Sequence, residues 1–268
     1  MSRWWGRQEW QIGDTLNWNL AELKLSVSRF EQEWQLRLLQ SSRISEDHEH
    51  WQFIGHGEPL EGPGLEIRRH IGSDTQQPLQ LLPALADRPM VVRPAHPIYI
   101  GAQASVLLYI STPVWIMLRT DWNTPALLDI PITRPTDSWL GPNTRSGEIC
   151  YSTRVFGRLH LDEIRQHPFR AVTPVRVLND SDEVFPLERL AVPVQLLPLH
   201  VSEAGRLWTP ALDLRCHASS RHAEIQVARD VDTMAGPTTR LAPPRTPLSN
   251  VNLIRALDSL IASRKIAS

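Results

Sequence analysis

Hydrophobic and polar residues alternate with a period of two along much of the chain, a pattern typical of strands with one buried face. The alternation is strongest at 23–27 and at 34–38, where leucine, valine and tryptophan take every second position. The polar Glu-Gln-Glu segment at 31–33 separates these stretches and predicts a hairpin. An uninterrupted apolar run at 106–110 predicts a strand buried on both faces. These patterns predict a mainly β fold.

The predicted strands fall into two groups along the chain. We expect two antiparallel β-sandwich-like modules, an N-terminal one at 1–130 and a C-terminal one at 131–234. Two hexapeptides resemble each other, Pro-Leu-Gln-Leu-Leu-Pro at 78–83 and Pro-Val-Gln-Leu-Leu-Pro at 193–198. This repeat is compatible with two related modules, and also with a chance match in a chain rich in leucine and proline.

The C-terminal segment has a different pattern. Prolines recur through 235–248, which predicts a stiff linker. At 249–264 apolar residues follow helical spacing and predict an amphipathic helix: Leu253, Ile254, Leu257, Leu260 and Ile261. A helix this short is marginal in water, so its apolar stripe is expected to pack on its own sheet or on a partner.

Composition and charge narrow the class of protein. The chain has 28 basic and 29 acidic residues, a balance that argues against broad binding to nucleic acid, which requires a basic surface. Its 22 prolines fit strand ends and turns. Neither a signal peptide nor an apolar run of membrane-spanning length is visible, and the two cysteines are far apart in the sequence. We therefore expect a cytoplasmic protein with reduced thiols.

Tryptophan is unusually frequent, with ten residues in the chain. The alternation places Trp34 on a buried face, and core packing is the expected role of most of the others. Trp4, Trp5 and Trp122 lie outside clear alternation and are the candidates for exposure. Exposed rings on one face would form a platform for sugars or stacked bases, which is the alternative interpretation.

The densest group of potential binding residues lies at 129–155, midway along the chain, where charged, hydroxyl and aromatic side chains are interspersed with turn residues. Binding residues concentrate in such loops. We predict a ligand-binding site built from Arg134, Asp137, Trp139, Arg145 and Glu148. The competing interpretation is structural: a turn at Asp137, a buried Trp139 and an ion pair that holds Glu148.

The sequence favours a binding function over catalysis. It contains no Gly-x-Ser-x-Gly elbow, phosphate-binding glycine loop, dinucleotide fingerprint or His-Glu-x-x-His motif. The first hypothesis is a non-enzymatic binding or regulatory protein whose partner is a protein or a small polar ligand. The alternative is a hydrolase-like enzyme in which Asp137 and Glu148 form an acid–base or metal-binding pair, and this alternative requires both carboxylates to share a cleft.

Metal and cofactor sites are not predicted. His48 and His50 alternate in a hydrophilic stretch, and a built zinc site requires three or four preorganised ligands. Cys216 follows alternating leucines, which predicts a core position rather than a ligand, although His217 and His222 are near in sequence. We therefore expect no metal and no cofactor.

Five segments together resemble the prokaryotic domain-of-unknown-function family 432. They are Thr-Asp-Ser-Trp-Leu-Gly at 136–141, Gly-Glu-Ile-Cys-Tyr at 147–151, Arg-Ala-Val-Thr-Pro-Val at 170–175, Leu-Glu-Arg-Leu at 187–190 and Leu-Trp-Thr at 207–209. The family form of the first segment is Ser-Asp-Thr-Trp-Phe-Gly, from which Thr136, Ser138 and Leu140 depart conservatively. The resemblance covers residues 10–262 and implies no established activity. It does imply association with a membrane channel, because members tend to be encoded beside small mechanosensitive channel proteins.

Overall fold

The structure is a computed structural model that describes residues 3–40, 51–72, 78–121, 125–140, 147–217 and 223–247. In chain order the strands are β1 (Gly6–Arg7), β2 (Thr15–Leu20), β3 (Leu23–Arg29), β4 (Glu33–Gln40), β5 (Trp51–His56), β6 (Glu66–Ile71), β7 (Gln80–Ala84), β8 (Met90–Pro94), β9 (Ile98–Ile100), β10 (Ser105–Pro113), β11 (Trp115–Arg119), β12 (Leu128–Pro131), β13 (Thr136–Leu140), β14 (Glu148–Gly157), β15 (Arg170–Asp180), β16 (Phe185–Leu187), β17 (Leu190–Val192), β18 (Leu199–Ser202), β19 (Leu207–Trp208), β20 (Pro210–His217), β21 (Ala223–Val231) and β22 (Thr238–Ala242). The mainly β prediction is confirmed.

Helix is nearly absent from the described part of the chain. It consists there of three 3-10 turns, Leu161–Glu163, Val194–Leu196 and Thr233–Ala235. The amphipathic helix predicted at 249–264 lies outside the described residues, so the fold as described gives it no support.

Contacts divide the chain into two units, each built from two stretches of sequence. The first comprises Met1–Ala84 and Val114–Arg134, and the second comprises Leu85–Pro113 and Pro135–Ser268. This division differs from the consecutive modules expected from the sequence, because strand pairing between distant segments interleaves the two units. The sandwich-like packing of each module remains a prediction.

In the first unit, five antiparallel strands form a sheet in the order β5-β2-β3-β4-β6. The predicted hairpin is its centre, since β3 pairs with β4 and the Phe30 amide donates to the Glu33 carbonyl across the turn at 2.8 Å. Trp34 is fully buried, as the alternation predicted. The Trp10 ring lies edge-on to Trp34 at 5.1 Å, and Trp18 packs against Phe53 at 5.2 Å. One face of this sheet is therefore a tryptophan-rich core.

The opposite face of the same strands is buried but polar. The hydroxyls of Thr15 and Ser28 share a hydrogen bond of 2.7 Å across β2 and β3. Next to them the Ser26 hydroxyl donates to Asn17 Oδ1 at 2.7 Å and accepts from the Leu60 amide at 3.3 Å. The segment containing Leu60 thus covers this face, and the hydroxyl-to-amide bonds offset the cost of burying polar groups.

A second sheet of the first unit has the order β1-β7-β11-β12, with all pairs antiparallel. Its central strand β11 is buried at four of five positions, as expected for the strand between two neighbours. Trp4 and Trp5, which the sequence nominated for exposure, are buried at 1% and 9% exposure, and their rings meet edge-on at 5.1 Å. That expectation was wrong because two adjacent indoles bury each other even without a strand period. Trp122 lies outside the described residues.

The second unit is built around β15, the longest strand. It pairs with β10 in antiparallel register from Ser105 opposite Leu178 to Pro113 opposite Arg170. On its other edge it pairs in parallel with β19 near its start and with β20 near its end, within a seven-stranded sheet that continues from β20 to β21 and from β19 to β18 and β22. Tyr109, on β10, is buried, in agreement with the uninterrupted apolar run of that strand.

The same unit contains a four-stranded sheet in the order β13-β14-β8-β17 and a small pairing of β9 with β16. In the four-stranded sheet β14 and β8 are parallel, whereas β13 and β17 are antiparallel edge strands. The predicted binding residues Asp137, Trp139 and Glu148 belong to this sheet.

Two further expectations differ from the structure. Within the segment 235–248, predicted as a linker, β22 pairs with β18. A linker interpretation failed there because the prolines flank the strand rather than interrupt it.

The similar hexapeptides at 78–83 and 193–198 differ in conformation, since the first enters strand β7 and the second forms the 3-10 turn Val194–Leu196. The pair therefore gives no structural support for a duplication.

Candidate functional site

The strands β13 and β14 form an edge hairpin whose outer face carries the candidate site. Asp137 lies opposite Tyr151, and Trp139 lies opposite Ile149. Because side chains alternate between the two faces of a strand, these four project from the same face. The sequence of the two strands and their register therefore place Asp137, Trp139, Ile149 and Tyr151 on one face.

A turn from a distant part of the chain completes this face. The Tyr151 amide donates to the Pro89 carbonyl at 2.8 Å, which holds the preceding turn beside β14. The guanidinium of Arg88 lies 3.3 Å from Asp137 Oδ1 and 5.3 Å from the centre of the Tyr151 ring. The Tyr151 hydroxyl donates to Asp87 Oδ1 at 2.9 Å. One cation is thus held between two carboxylates and an aromatic ring.

This arrangement keeps Tyr151 protonated. Partial burial, followed by the hydrogen bond to Asp87 and the negative charge of that carboxylate, raises the pKa of Tyr151 to about 12. Asp137 raises it further, and only Arg88 acts in the opposite direction. At neutral pH the phenol is therefore a hydrogen-bond donor and an aromatic surface, and it does not act as a base.

Trp139 and Ile149 form the apolar half of the face. They are a cross-strand pair, and they remain 44% and 51% exposed. The indole lies against the backbone of Gly147, where a Cβ atom would stand 2.7 Å from two ring atoms and 2.6 Å from the Leu140 carbonyl oxygen. Glycine at this position therefore allows the ring to lie flat over the hairpin while one side stays open to solvent.

The inner face of the hairpin has a different character. Leu140 and Cys150 are buried, and Glu148 lies opposite Leu140 on that face. Asp137 and Glu148 consequently project from opposite faces, so they do not form the shared cleft that the carboxylate-pair hypothesis requires. Burial, with a smaller effect of Glu148, raises the pKa of Cys150 to about 12, which leaves a neutral and unreactive thiol.

The remaining predicted residues are not assigned to this face. Arg134 is exposed and is the last residue of the first unit, whereas Asp137, Trp139 and Glu148 belong to the second. Arg145 lies outside the described residues. Of the five residues predicted from the sequence, the structure brings Asp137 and Trp139 to one surface.

Sequence reasoning missed Asp87, Arg88 and Tyr151 as members of the site. Tyr151 was within reach, because its spacing of two from Ile149 places both on one face of a strand. Arg88 is 49 residues from Asp137 and reaches it through the parallel pairing of β8 with β14. No local pattern announces a parallel pairing, so that partner could not be found from spacing.

The described ranges contain neither a metal-binding cluster nor a membrane-spanning helix. No group of three or more histidine, cysteine, aspartate or glutamate side chains in those ranges is placed to hold a metal ion. The histidines at 48 and 50 lie outside the ranges, and Cys216 is buried in the core, as predicted. No helix among the described residues is long and apolar enough to cross a bilayer.

Fold and surface together define a mainly β protein with an exposed polar and aromatic face on an edge hairpin. The family described as protein of unknown function (DUF432) matches the chain over residues 4–260, and the chain belongs to this family. The resemblance carried by the five sequence segments is thereby confirmed. No curated protein and no solved structure matches the chain.

Proposed function

We propose that the protein is a non-enzymatic binding or regulatory protein that docks a protein partner on the outer face of the β13–β14 hairpin. We call this the docking face and define it by Arg88, Asp137, Trp139, Ile149 and Tyr151. The observation that carries the proposal is the exposed pair of Trp139 and Ile149 beside a compact cluster of charges.

The chemical composition of the docking face supports a protein partner. Tryptophan, tyrosine and arginine are the residue types that contribute most to protein–protein affinity, and here one of each lies within a small surface. The charges of Arg88 and Asp137 would orient a partner, and the apolar pair would supply most of the free energy of binding.

The solvent exposure of the docking face favours a protein over a small polar ligand as the binding partner. The side chains of Arg88 and Asp137 are 43% and 72% exposed, and Trp139 and Ile149 are also open to solvent. Small ligands bind in concave sites that bury most of their surface, whereas protein partners cover open faces. The dense polar stretch of sequence was compatible with either kind of partner, and the exposure of these side chains supports the proposal of a protein.

The hydrolase-like alternative is not favoured by the arrangement of groups. Its two carboxylates, Asp137 and Glu148, project from opposite faces of the hairpin. The nearby Tyr151 and Cys150 both have a pKa of about 12, so neither supplies a base or a nucleophile at neutral pH.

The partner to test first follows from the family resemblance. Members of this family tend to be encoded beside small mechanosensitive channel proteins, so we propose the cytoplasmic part of such a channel as the first candidate. A cytoplasmic location of the chain is part of this proposal.

The test compares purified wild-type protein with Trp139→Ala and Asp137→Ala variants as immobilised bait. Detergent-solubilised membranes and the soluble fraction of the native cell are the prey, and captured proteins are quantified by mass spectrometry. Tyr99→Ala is the matched control, because Tyr99 is a 73% exposed aromatic residue on a strand of the same unit, outside the docking face.

We expect a partner that wild type and Tyr99→Ala retain and that both docking-face variants lose. Truncation of a central aromatic residue should weaken the purified pair by about 2 kcal/mol or more, roughly 30-fold in Kd. If all four baits capture the same proteins with equal yield, the docking face is not the binding surface and the proposal is wrong.

A further inference from the structure

A pocket of about 760 Å³ lies in the second unit, away from the docking face. It is lined by Leu107 and Tyr109 of β10, by residues of the segment 159–166, and by Arg206 and Met234. The volume falls within the usual range for sites that bind small organic molecules.

Apolar packing sets the base of the pocket. Tyr109 and Ile164 belong to a buried cluster that also contains Trp208, with Leu107 packed against it. The Tyr109 hydroxyl is directed to the sulfur of Met234 at 3.1 Å, a weak acceptor. Burial, together with Asp232, raises the pKa of this phenol, so it stays neutral. The base therefore suits a hydrocarbon or aromatic body.

Arg206 supplies an incompletely compensated positive charge at this base. Its Nη2 donates to the Ile164 carbonyl at 2.9 Å, and its guanidinium carbon lies 5.4 Å from the centre of the Trp208 ring. Its Nε is closed off from solvent and has no hydrogen-bond partner among the described residues, so an anion in the pocket would have to bind the Nη atoms of the guanidinium. Burial lowers the pKa of Arg206, which means that the site disfavours an isolated cation.

The charge around the opening has the same sign. The lining residues include two arginines, Arg165 and Arg206, and one acidic residue, Asp162; Asp232 is not part of the lining but acts on Tyr109. Burial deprives the Arg206 guanidinium of part of its hydration, and a bound anion would replace that lost stabilisation of the charge. Charge-assisted hydrogen bonds are strongest in such partly desolvated sites.

We propose that this pocket binds an organic monoanion with an apolar body, such as a medium-chain or aromatic carboxylic acid. Arg206 holds the carboxylate, and the surface of Leu107, Tyr109 and Ile164 holds the apolar body. The pocket shares no residue with the docking face, so this inference is independent of the proposed function.

Isothermal titration of the full chain with three probes separates the two halves of the site. Octanoate carries both the charge and the apolar body, octan-1-ol carries the body alone, and acetate carries the charge alone. We expect saturable binding of octanoate and at least about ten-fold weaker binding of the other two, since a charge-assisted hydrogen bond and several buried methylenes each contribute that much.

Two pairs of variants assign the binding to this pocket. Arg206→Gln should weaken octanoate about ten-fold, whereas Arg176→Gln, at an exposed arginine of the same unit, should not. Leu159 lines the pocket but is 49% exposed, so Leu159→Glu and Leu159→Lys should both fold. We expect the glutamate to weaken octanoate binding and the lysine to preserve or strengthen it.

Three results would overturn the inference. They are the absence of octanoate binding to the wild type, equal binding of octan-1-ol and octanoate, and equal effects of Leu159→Glu and Leu159→Lys. The Leu159 pair decides the question even if Arg206→Gln disturbs the fold, because Leu159 is at the rim and the two variants differ only in the sign of the new charge.

Discussion

Replacing Arg88 with methionine tests whether the charge cluster of the docking face is there for binding or for stability. The change removes the ion pair with Asp137, the longer 3.9 Å contact with Asp87 and the stacking on Tyr151, while it keeps a long apolar side chain. Because the two side chains of the ion pair are 43% and 72% exposed, that pair should contribute less than about 1 kcal/mol. Stacking of an exposed cation on an aromatic ring adds about 0.5–1 kcal/mol.

The expected loss of unfolding free energy for Arg88→Met is therefore no more than about 2 kcal/mol. Urea unfolding followed by tryptophan fluorescence measures it. Arg176→Met is the control, because Arg176 lies 3.8 Å from Asp213 in an ion pair of similar exposure, on β15 of the same unit. Both variants should remain folded, whereas only Arg88→Met should lose the protein partner.

A loss well above about 3 kcal/mol in Arg88→Met alone would refute the reasoning, since an open ion pair and an open stacking contact cannot account for it. The cluster would then be a structural lock between the turn at Asp87 and the hairpin. The docking proposal would lose the charged half of its surface.

Three further predictions test the surrounding structure. Cys150 should react with a thiol reagent only after unfolding, because the thiol is buried and neutral in the folded state. Its raised pKa contributes stability that is fully present below the ordinary thiol pKa. This contribution should be lost as the pH rises through about 12. Ser28→Ala should cost about 1–3 kcal/mol in urea unfolding because it leaves the buried hydroxyl of Thr15 without its partner, whereas the double variant Thr15→Val with Ser28→Ala should recover most of that loss. Gly147→Ala should destabilise the second unit by about 1–3 kcal/mol and displace the Trp139 ring, which a change in fluorescence and loss of partner binding would report.

The mainly β class and the central hairpin of the first unit could be predicted because a period of two is a local property of the sequence. Leu36 and Trp34 share a buried face for the same reason. Trp4 and Trp5 were misplaced because their burial depends on mutual packing and on no period. The interleaving of the two units was out of reach, since it depends on which distant strands pair.

The residues of the candidate site also fall into those that local sequence predicts and those that depend on long-range strand pairing. Alternation alone puts Asp137 and Trp139 on one face and Glu148 on the other once the register of β13 and β14 is known. The stretch 129–155 could be recognised as rich in polar and aromatic side chains. Which of these side chains share a face of the sheet could not be predicted without that register. Arg88 and Asp87 are brought to the site by the parallel pairing of β8 with β14, and the sequence around them has no pattern that predicts this pairing.

The hairpin also has an uncommon distribution of apolar side chains. Strands with apolar residues on both faces are usually buried on both, and β14 carries Cys150 inward and Ile149 outward. Yet β14 is the second strand of an edge hairpin on which Trp139 and Ile149 remain open to solvent, and β13 has no second strand partner among the described residues. Native proteins normally protect such edges with charge, and Asp137 and Arg88 place charge at only one end of this one. The partner that we propose would cover this apolar pair, so the exposure of Trp139 is the property to follow when a candidate partner is added.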